Sequence, residues 1–504
     1  MSTDKSYGQI LRSTSITGSA AGIVFLLGML STKFAALVIG STGVGLIAIF
    51  ASIQGLIVNI AGLGIQSSAV REIAIAVSNG NEDAIGRSVI ILRRACWLTG
   101  VVGMVVVMAF SPQLSKLTFN SDIYTPDIFV LGFVILLVNL AGGQLAILQG
   151  MRRIGDLARV RVAGAVLATF FAIFFYYWLK LRGILPAIVC TAFIQLLISW
   201  NVARKIPFKA VRLSWSETFL ETTNLIKLGI VFMWSSVMVS AVSYFTIKFI
   251  AQEVGVHAVG LYSAAFLLSG MSVNFVLGAM GADYYPRLTS SINNKIQLNR
   301  LVNEQAEIAL LLALPALMAI LTFAPLLLQI FYSNEFIDAT RMLQWYLLGC
   351  LGRIISWPMG FLILALGKGR WFLLSETLGN LIHLTLIPIG LYLFGLEGAA
   401  IAYSISSYIY IGIVFVVSYK LVGLSWSPGF LRIMAYGLPF FALYFIANVN
   451  FSGLSIMLFG ILLTIYEAAF CLRELVNRIG SEHRLVKFIL SLPLLGAIFI
   501  SKSK

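Results

Sequence analysis

The stretch "KFAALVIGSTGVGL", residues 33–46, decides how the chain folds, because it occurs twice. Shifted by 215 residues, it lies without a gap over "KFIAQEVGVHAVGL", residues 248–261. Lys33/Lys248, Phe34/Phe249, Ala36/Ala251, Gly40/Gly255, Val44/Val259, Gly45/Gly260 and Leu46/Leu261 are identical, seven of fourteen positions and far above chance even for apolar sequence. Asn59 falls on Asn274 at the same offset, and Arg71 and Arg287 close their apolar runs one residue out of register. At an offset of 217, Gly150 matches Gly367, each just ahead of basic residues.

Composition sets the solvent in which this duplication folds. The chain has 504 residues, 59% hydrophobic and 11% charged, with a mean hydropathy of +0.95. Soluble chains carry about a quarter charged residues, so this one belongs to the membrane class. A hydrocarbon core about 30 Å thick takes ~20 apolar residues per helix. Fourteen such segments are expected, at 12–39, 45–70, 87–110, 127–149, 158–179, 183–203, 223–250, 258–282, 303–331, 340–366, 371–394, 397–419, 430–448 and 453–472. The polar start, Met1–Arg12, leads into a run too long for a signal peptide and is read as retained. A final apolar stretch, 488–500, is short for a span and is expected at the interface.

With the N-terminus in the cytoplasm, the inner segments hold 28 of the 35 Lys and Arg. That asymmetry is what cytoplasmic loops show, and it accounts for the +15 net charge without nucleic acid. It places both termini inside. Connections run to about twenty residues at most, too short for a soluble catalytic domain, and no phosphate-binding GxxxxGK[ST] loop is present. Cys96, Cys190, Cys350 and Cys471 lie far apart in or beside apolar stretches and read as free thiols. With three histidines at His257, His383 and His483, no metal site or cofactor is expected.

Six helices separate the two copies, an even number, so both run in the same direction and the repeat is parallel. The expected fold is an all-α polytopic membrane protein of about fourteen transmembrane helices: two parallel-repeat six-helix bundles plus two C-terminal helices. The first bundle spans 1–203, a basic cytoplasmic linker 204–222, the second bundle 223–420, two extra helices 421–472 and a basic tail 473–504.

That architecture resembles the multidrug/oligosaccharidyl-lipid/polysaccharide exporter superfamily. Within it, "GQLAILQGMRRIGDLARVR" (143–161), "VGLYSAAF" (259–266) with "YYPRL" (284–288), and "GLGIQSSAVREIA" (62–74) are similar to the polysaccharide transporters, the Wzx-type O-antigen flippases. The resemblance implies an inner-membrane protein of lipopolysaccharide or polysaccharide assembly. It would move an undecaprenyl-pyrophosphate-linked oligosaccharide between leaflets by alternating access, alongside other assembly proteins. Such a cargo needs a polar cavity open sideways to lipid, with cations for its phosphates.

Candidate residues follow from that need. Arg353 sits about thirteen residues, ~20 Å, from either end of its span, too deep to reach water easily. A charge at that depth costs about 2.5–3.5 kcal/mol to insert. It reads either as a structural arginine on carbonyls or as a phosphate or acidic-sugar contact; Tyr346 shares its face. Lys33 and Lys248 lie ~10 Å from the outer ends of their helices and read either as interface anchors or as phosphate contacts. Lys248 continues a stripe of Ser236, Ser240 and Tyr244. Asn59 and Asn274 sit in small, polar stripes that either pack helices or hydrogen-bond sugar. Trp345, Trp357 and Tyr262 read as sugar platforms or as interface aromatics. Glu376, Asn380 and His383 share one helical face, as an ion-coupling pair would.

A lipid II flippase is a close alternative. A multidrug/cation antiporter would be expected to use a buried acid in the first half, where every acid lies in or near a loop. A membrane-embedded polymerase would need a large periplasmic loop.

Overall fold

The computed structural model describes residues 3–209, 211, 213–451 and 453–479. Side chains before residue 18 and at several positions within 224–232 and 272–283, Asn274 included, lie outside that description, as does the segment 488–500. The described residues form helices and connections without a strand. In order they are α1 (Thr3–Ala61), α2 (Ile65–Ser78), α3 (Glu82–Ala109), α4 (Ser111–Phe119), α5 (Thr125–Gly150), α6 (Ile154–Leu179), α7 (Ile184–Ala203) and α8 (Trp215–Glu253). Then follow α9 (Val256–Ser290), α10 (Lys295–Thr322), α11 (Ala324–Phe331), α12 (Thr340–Ala365), α13 (Gly369–Phe394), α14 (Glu397–Val422), α15 (Pro428–Asn450) and α16 (Leu454–Ile479).

Among the described residues eleven segments are long and apolar enough to cross a membrane. Two of them are of double length. Gly18–Ala61 has 44 residues with a break at Gly40, and Ile154–Ala203 has 50, interrupted by the 3-10 turn Lys180–Gly183. At 1.5 Å per residue each is roughly twice what a ~30 Å core requires.

The duplicated stretch explains its own glycines. Gly40 breaks α1 at φ 65°, and Gly255 separates α8 from α9 at φ 112°, a region that a Cβ disfavours. Five residues on, the two copies meet. A methyl group on Gly45 would stand 2.1 Å from the Val256 carbonyl oxygen, and one on Gly260 would stand 2.0 Å from that of Ser41. Positions 41 and 256, like 45 and 260, differ by the repeat offset. The contact is therefore reciprocal, as at a twofold axis.

By compactness the chain forms two units. The first is Met1–Leu261 with Ile330–Glu335, and the second is Tyr262–Gln329 with Phe336–Lys504. Duplication would cut at the linker instead. In the first unit α8 packs on α1 and α2. Asn59 Nδ2 donates to Ser240 Oγ at 2.6 Å, and Gly64 and Gly229 touch backbone to backbone. The core of this unit centres on Ile65, Ile73, Leu92, Ile147 and Val160. The linker is held to α3 by Arg94, which donates to Thr218 Oγ1 at 2.8 Å and lies over Trp215.

The core of the second unit runs through Leu298, Leu301, Met359, Leu362 and Val414. Its α13 buries only Ser375, Ile387, Gly390 and Leu391, and turns Leu374, Leu378, Leu381 and Leu393 outward. Apolar side chains outside and backbone hydrogen bonds closed within each helix are what a hydrocarbon solvent selects. Helix starts at the polar connections are capped: Asn81 accepts from Ala84 N at 3.0 Å, Asn294 from Gln297 N at 3.0 Å and Ser427 from Phe430 N at 2.9 Å.

Candidate functional site

In the second unit a seam of small residues sets the spacing of α12, α13 and α14. A methyl on Gly349 would meet the Tyr403 ring at 2.5 Å, one on Gly352 the Ser407 side chain at 3.0 Å, and one on Gly379 the Tyr410 ring at 2.6 Å. Close backbone approach of this kind is how helices gain contact where lipid offers no hydrophobic drive. It brings Arg353 of α12 beside the Tyr403 phenol of α14, with Glu376 of α13 within electrostatic reach.

The Glu376 carboxylate accepts a short hydrogen bond from Tyr410 Oη. Arg353 is surrounded by protein yet exposed along one flank, while Glu376, Asn380 and His383 are half-buried. Tyr346 is 1% exposed and enclosed by Tyr262, Phe266 and Tyr403, with centroids at 6.0, 5.5 and 5.3 Å. Five of the residues singled out by sequence thus fall on adjacent helices of one unit. Within the triplet, Asn380 Nδ2 donates to the Glu376 backbone carbonyl at 2.8 Å, and His383 presents an edge to Tyr403 at 5.6 Å. Tyr410 thus meets Glu376 and Tyr403 meets His383 along that helix.

Lys33, Lys248 and Asn59 lie in the first unit. Lys33 and Lys248 are both half-buried, each seven residues before a glycine of positive φ. Lys248 Nζ lies over the Phe249 ring at 5.5 Å and the Phe245 ring at 5.9 Å. Its stripe is engaged: Ser240 holds Asn59, and Tyr244 Oη is 2.8 Å from Thr118 Oγ1. Trp345 packs edge-on to Phe445 and Trp357 stacks on Tyr284, so both serve the second unit's packing. The Asn274 side chain lies outside the described residues.

Three groupings escape a reading by sequence. Asn139 of α5, 1% exposed, donates to Cys96 O at 3.1 Å and Thr99 Oγ1 at 2.8 Å, and its Oδ1 accepts from Gln66 Nε2 at 3.0 Å. Ser41, fully buried, bonds through its hydroxyl to His257 Nδ1 and Glu335 Oε1, and its amide donates to Glu335 Oε2 at 3.0 Å. Glu467 of α16 is buried in the second unit. Only Glu467 carried a signal, an acid inside an apolar run. The other two are assembled from residues that look ordinary one at a time.

Residues 10–292 match the family model described as "Polysaccharide biosynthesis protein". The chain is similar to a putative O-antigen transporter of Shigella flexneri, 25% identical over 389 residues, which cover 75% of this chain and 90% of the relative. It is also similar to the lipid III flippase of Escherichia coli (strain K12), 22% identical over 398 residues, covering 76% and 92%. Among solved structures, an inward-facing multidrug resistance MATE family transporter of the MOP superfamily superposes with a TM-score of 0.68 at 15% identity, covering 79% of this chain and 94% of that one. The lipid II flippase MurJ, in an inward closed conformation, gives 0.67 at 16% identity, covering 91% and 99%. At such identities the structures establish the fold alone: an all-helical fold shared with those two chains.

Proposed function

Because the chain belongs to the polysaccharide biosynthesis protein family, we propose that it is a flippase. Its cargo is an undecaprenyl-pyrophosphate-linked oligosaccharide, an O-antigen or exopolysaccharide repeat unit, carried from the cytoplasmic to the periplasmic leaflet by alternating access. It is a multi-pass membrane protein, which we place in the inner membrane with both termini cytoplasmic. The curated relatives named as O-antigen transporter and lipid III flippase support this substrate class.

Arg353 carries the reading. It is a cation deep in α12 with an open flank, beside Tyr403 and Glu376. A guanidinium offers a phosphate two parallel donors, and in a low-dielectric surround such charge-assisted bonds are strong. A diphosphate arriving there competes with Glu376 for the same cation. Glu376, held by the Tyr410 hydroxyl, is then the group to exchange the coupled ion, with His383 on the same helical face. Cargo binding and ion binding are thereby linked through one arginine. Lys33, Lys248, Asn59 and Asn274 are further contacts for the phosphates or sugars in this reading.

The test is the lipid-linked glycan on each leaflet. Cells without the protein should accumulate it on the inner leaflet, and Arg353→Ala should do the same at unchanged membrane abundance. Normal export by Arg353→Ala returns that residue to a structural role. Normal export in a deletion strain without a redundant flippase rejects the assignment. Export that ignores collapse of the proton and sodium gradients removes Glu376 and His383 from any coupling.

A further inference from the structure

Away from Arg353, and among the described residues, one carboxyl is buried in a spanning helix without a cation beside it. Glu467 of α16 is 0% exposed. Its Oε1 receives only a long contact from the Cys471 thiol, at 3.9 Å. Its Oε2 has no hydrogen-bond partner among the described residues. An ionised carboxylate is an acceptor at both oxygens and needs donors at both; a protonated one supplies its own. Bare charge in such surroundings is among the most costly things a membrane protein can bury.

The position is built for this group. Gly437 of α15 leaves the space: a methyl there would stand 2.8 Å from Glu467 Oε1. Gly460 of α16 does the same for Tyr444 of α15, whose hydroxyl would be 2.1 Å from the added methyl. Tyr444 Oη is buried beside Thr322 of α10 without an aligned hydrogen bond. Thr322 Oγ1 in turn lies 3.2 Å from Thr464 Oγ1 of α16. Gly460, Thr464, Glu467 and Cys471 follow at spacings of three or four, so they share one face.

Thr322 and Tyr444 line a cavity of about 590 Å³, together with Arg341, Gln344, Asn448 and Asn450. Gln344 Oε1 is also buried without a partner. From Thr464 to Glu467 is one turn, ~4.5 Å along the axis, a gap of the length that one water can bridge.

Toward its other end the same seam turns ionic. Arg478 of α16 donates to Glu307 of α10 at 2.7 Å and to Glu474 at 2.6 Å, and Arg432 of α15 lies 3.6 Å from Glu474. Cys471, Tyr444, Glu474, Arg478, Glu307 and Arg432 are the titratable and charged groups that α16, α15 and α10 set along the seam.

We propose that Glu467 is a proton-binding site, filled from the cavity through Tyr444 and Thr464 and closed at its other end by the Arg478–Glu474–Glu307–Arg432 cluster. The proton comes from water in the cavity, forms an O–H bond at Oε2 and leaves by the same path. The fixed cations of the cluster keep it from passing further. On the orientation proposed above, the cavity faces the periplasm. Glu467 therefore senses the outer proton concentration from helices that lie outside the duplication. Its use in export rests on the flippase reading; its occupancy does not.

Full-length protein in lipid nanodiscs tests the occupancy without cargo. Infrared difference spectra should show the carbonyl stretch of a protonated carboxyl, absent from Glu467→Gln. The band should fade on alkaline titration, with proton release to a pH-sensitive dye. A band that survives Glu467→Gln, or one that no titration removes, overturns the proposal. Should Glu467→Gln fail to accumulate, Tyr444→Phe carries the test. Exchange of the band after a pH jump should slow in that variant, and an unchanged rate overturns the route. In cells, Glu467→Gln should export glycan at a rate less sensitive to external pH, and an unchanged sensitivity overturns the use of Glu467 in export. A chain that exports no glycan but still shows the titrating band fails only as a flippase.

Discussion

Replacing Gly45 or Gly260 with alanine asks whether the two copies of the repeat are one contact or two. Each added methyl would fall 2.1 or 2.0 Å from a carbonyl oxygen of the other copy, where side-chain carbons essentially never come closer than 3.0 Å. The backbones must therefore separate by about 0.9 Å or 1.0 Å, and the atoms involved are main chain, with no flexible tip to yield. Overpacking of this size costs about 1–3 kcal/mol in packed cores, toward the upper end where backbone must move. Because the geometry is reciprocal, the two single variants should be destabilised by nearly equal amounts. A single separation relieves both clashes, so the double variant should cost markedly less than the sum, a coupling of about 1–2 kcal/mol. Unfolding of purified protein in one detergent, followed by tryptophan fluorescence, measures all four corners of the cycle. Unequal singles, or a double variant equal to the sum, would show that the two contacts are independent and that the twofold relation is accidental.

Further outcomes follow from the other sites. Asn139→Ala should cost about 1–3 kcal/mol, since it removes the core hydrogen bonds of its side chain to Gln66, Cys96 and Thr99; a variant as stable as wild type in the same unfolding assay refutes the hub. In α2, burial first and Glu221 second push the Glu72 carboxyl above its usual range, against the pull of Arg71. A folded pKa above the unfolded one means that stability falls as pH rises from the ordinary carboxylate range toward neutrality. Glu72→Gln should recover that loss and raise the unfolding temperature at neutral pH but not at pH ~4; the same gain at both pH values rejects the electrostatic account. Arg353→Lys keeps a charge but loses the planar fork, so export should fall between wild type and Arg353→Ala; equality with wild type argues for a point charge alone.

The apolar spans, the repeat and its glycines were legible from sequence because each is periodic or local. The two double-length segments break at Gly40 and at the turn Lys180–Gly183, where the apolar pattern divides 12–39 from 45–70 and 158–179 from 183–203. Arg353, Glu376 and His383 stood out as polar groups inside apolar runs. Their partners did not: Tyr403 and Tyr410 reach them across helices, by a spacing that Gly349 and Gly379 set and that no single stretch records. The Asn139 hub was invisible for the same reason. An amide in a span signals little until the helices that satisfy it are placed. The stripe through Ser240 and Tyr244 showed its face correctly, while its partners, Asn59 and Thr118, could come only from the packing.

The reciprocal approach at Gly45 and Gly260 also bears on ancestry. A surface that meets its own duplicate through equivalent atoms is one that two separate half-length chains could share as a homodimer. Fusion of two such genes would have kept the contact while freeing each half to diverge. His257 opposite Thr42, and Arg353 on one side alone, are the kind of asymmetry that only a fused pair can fix in place.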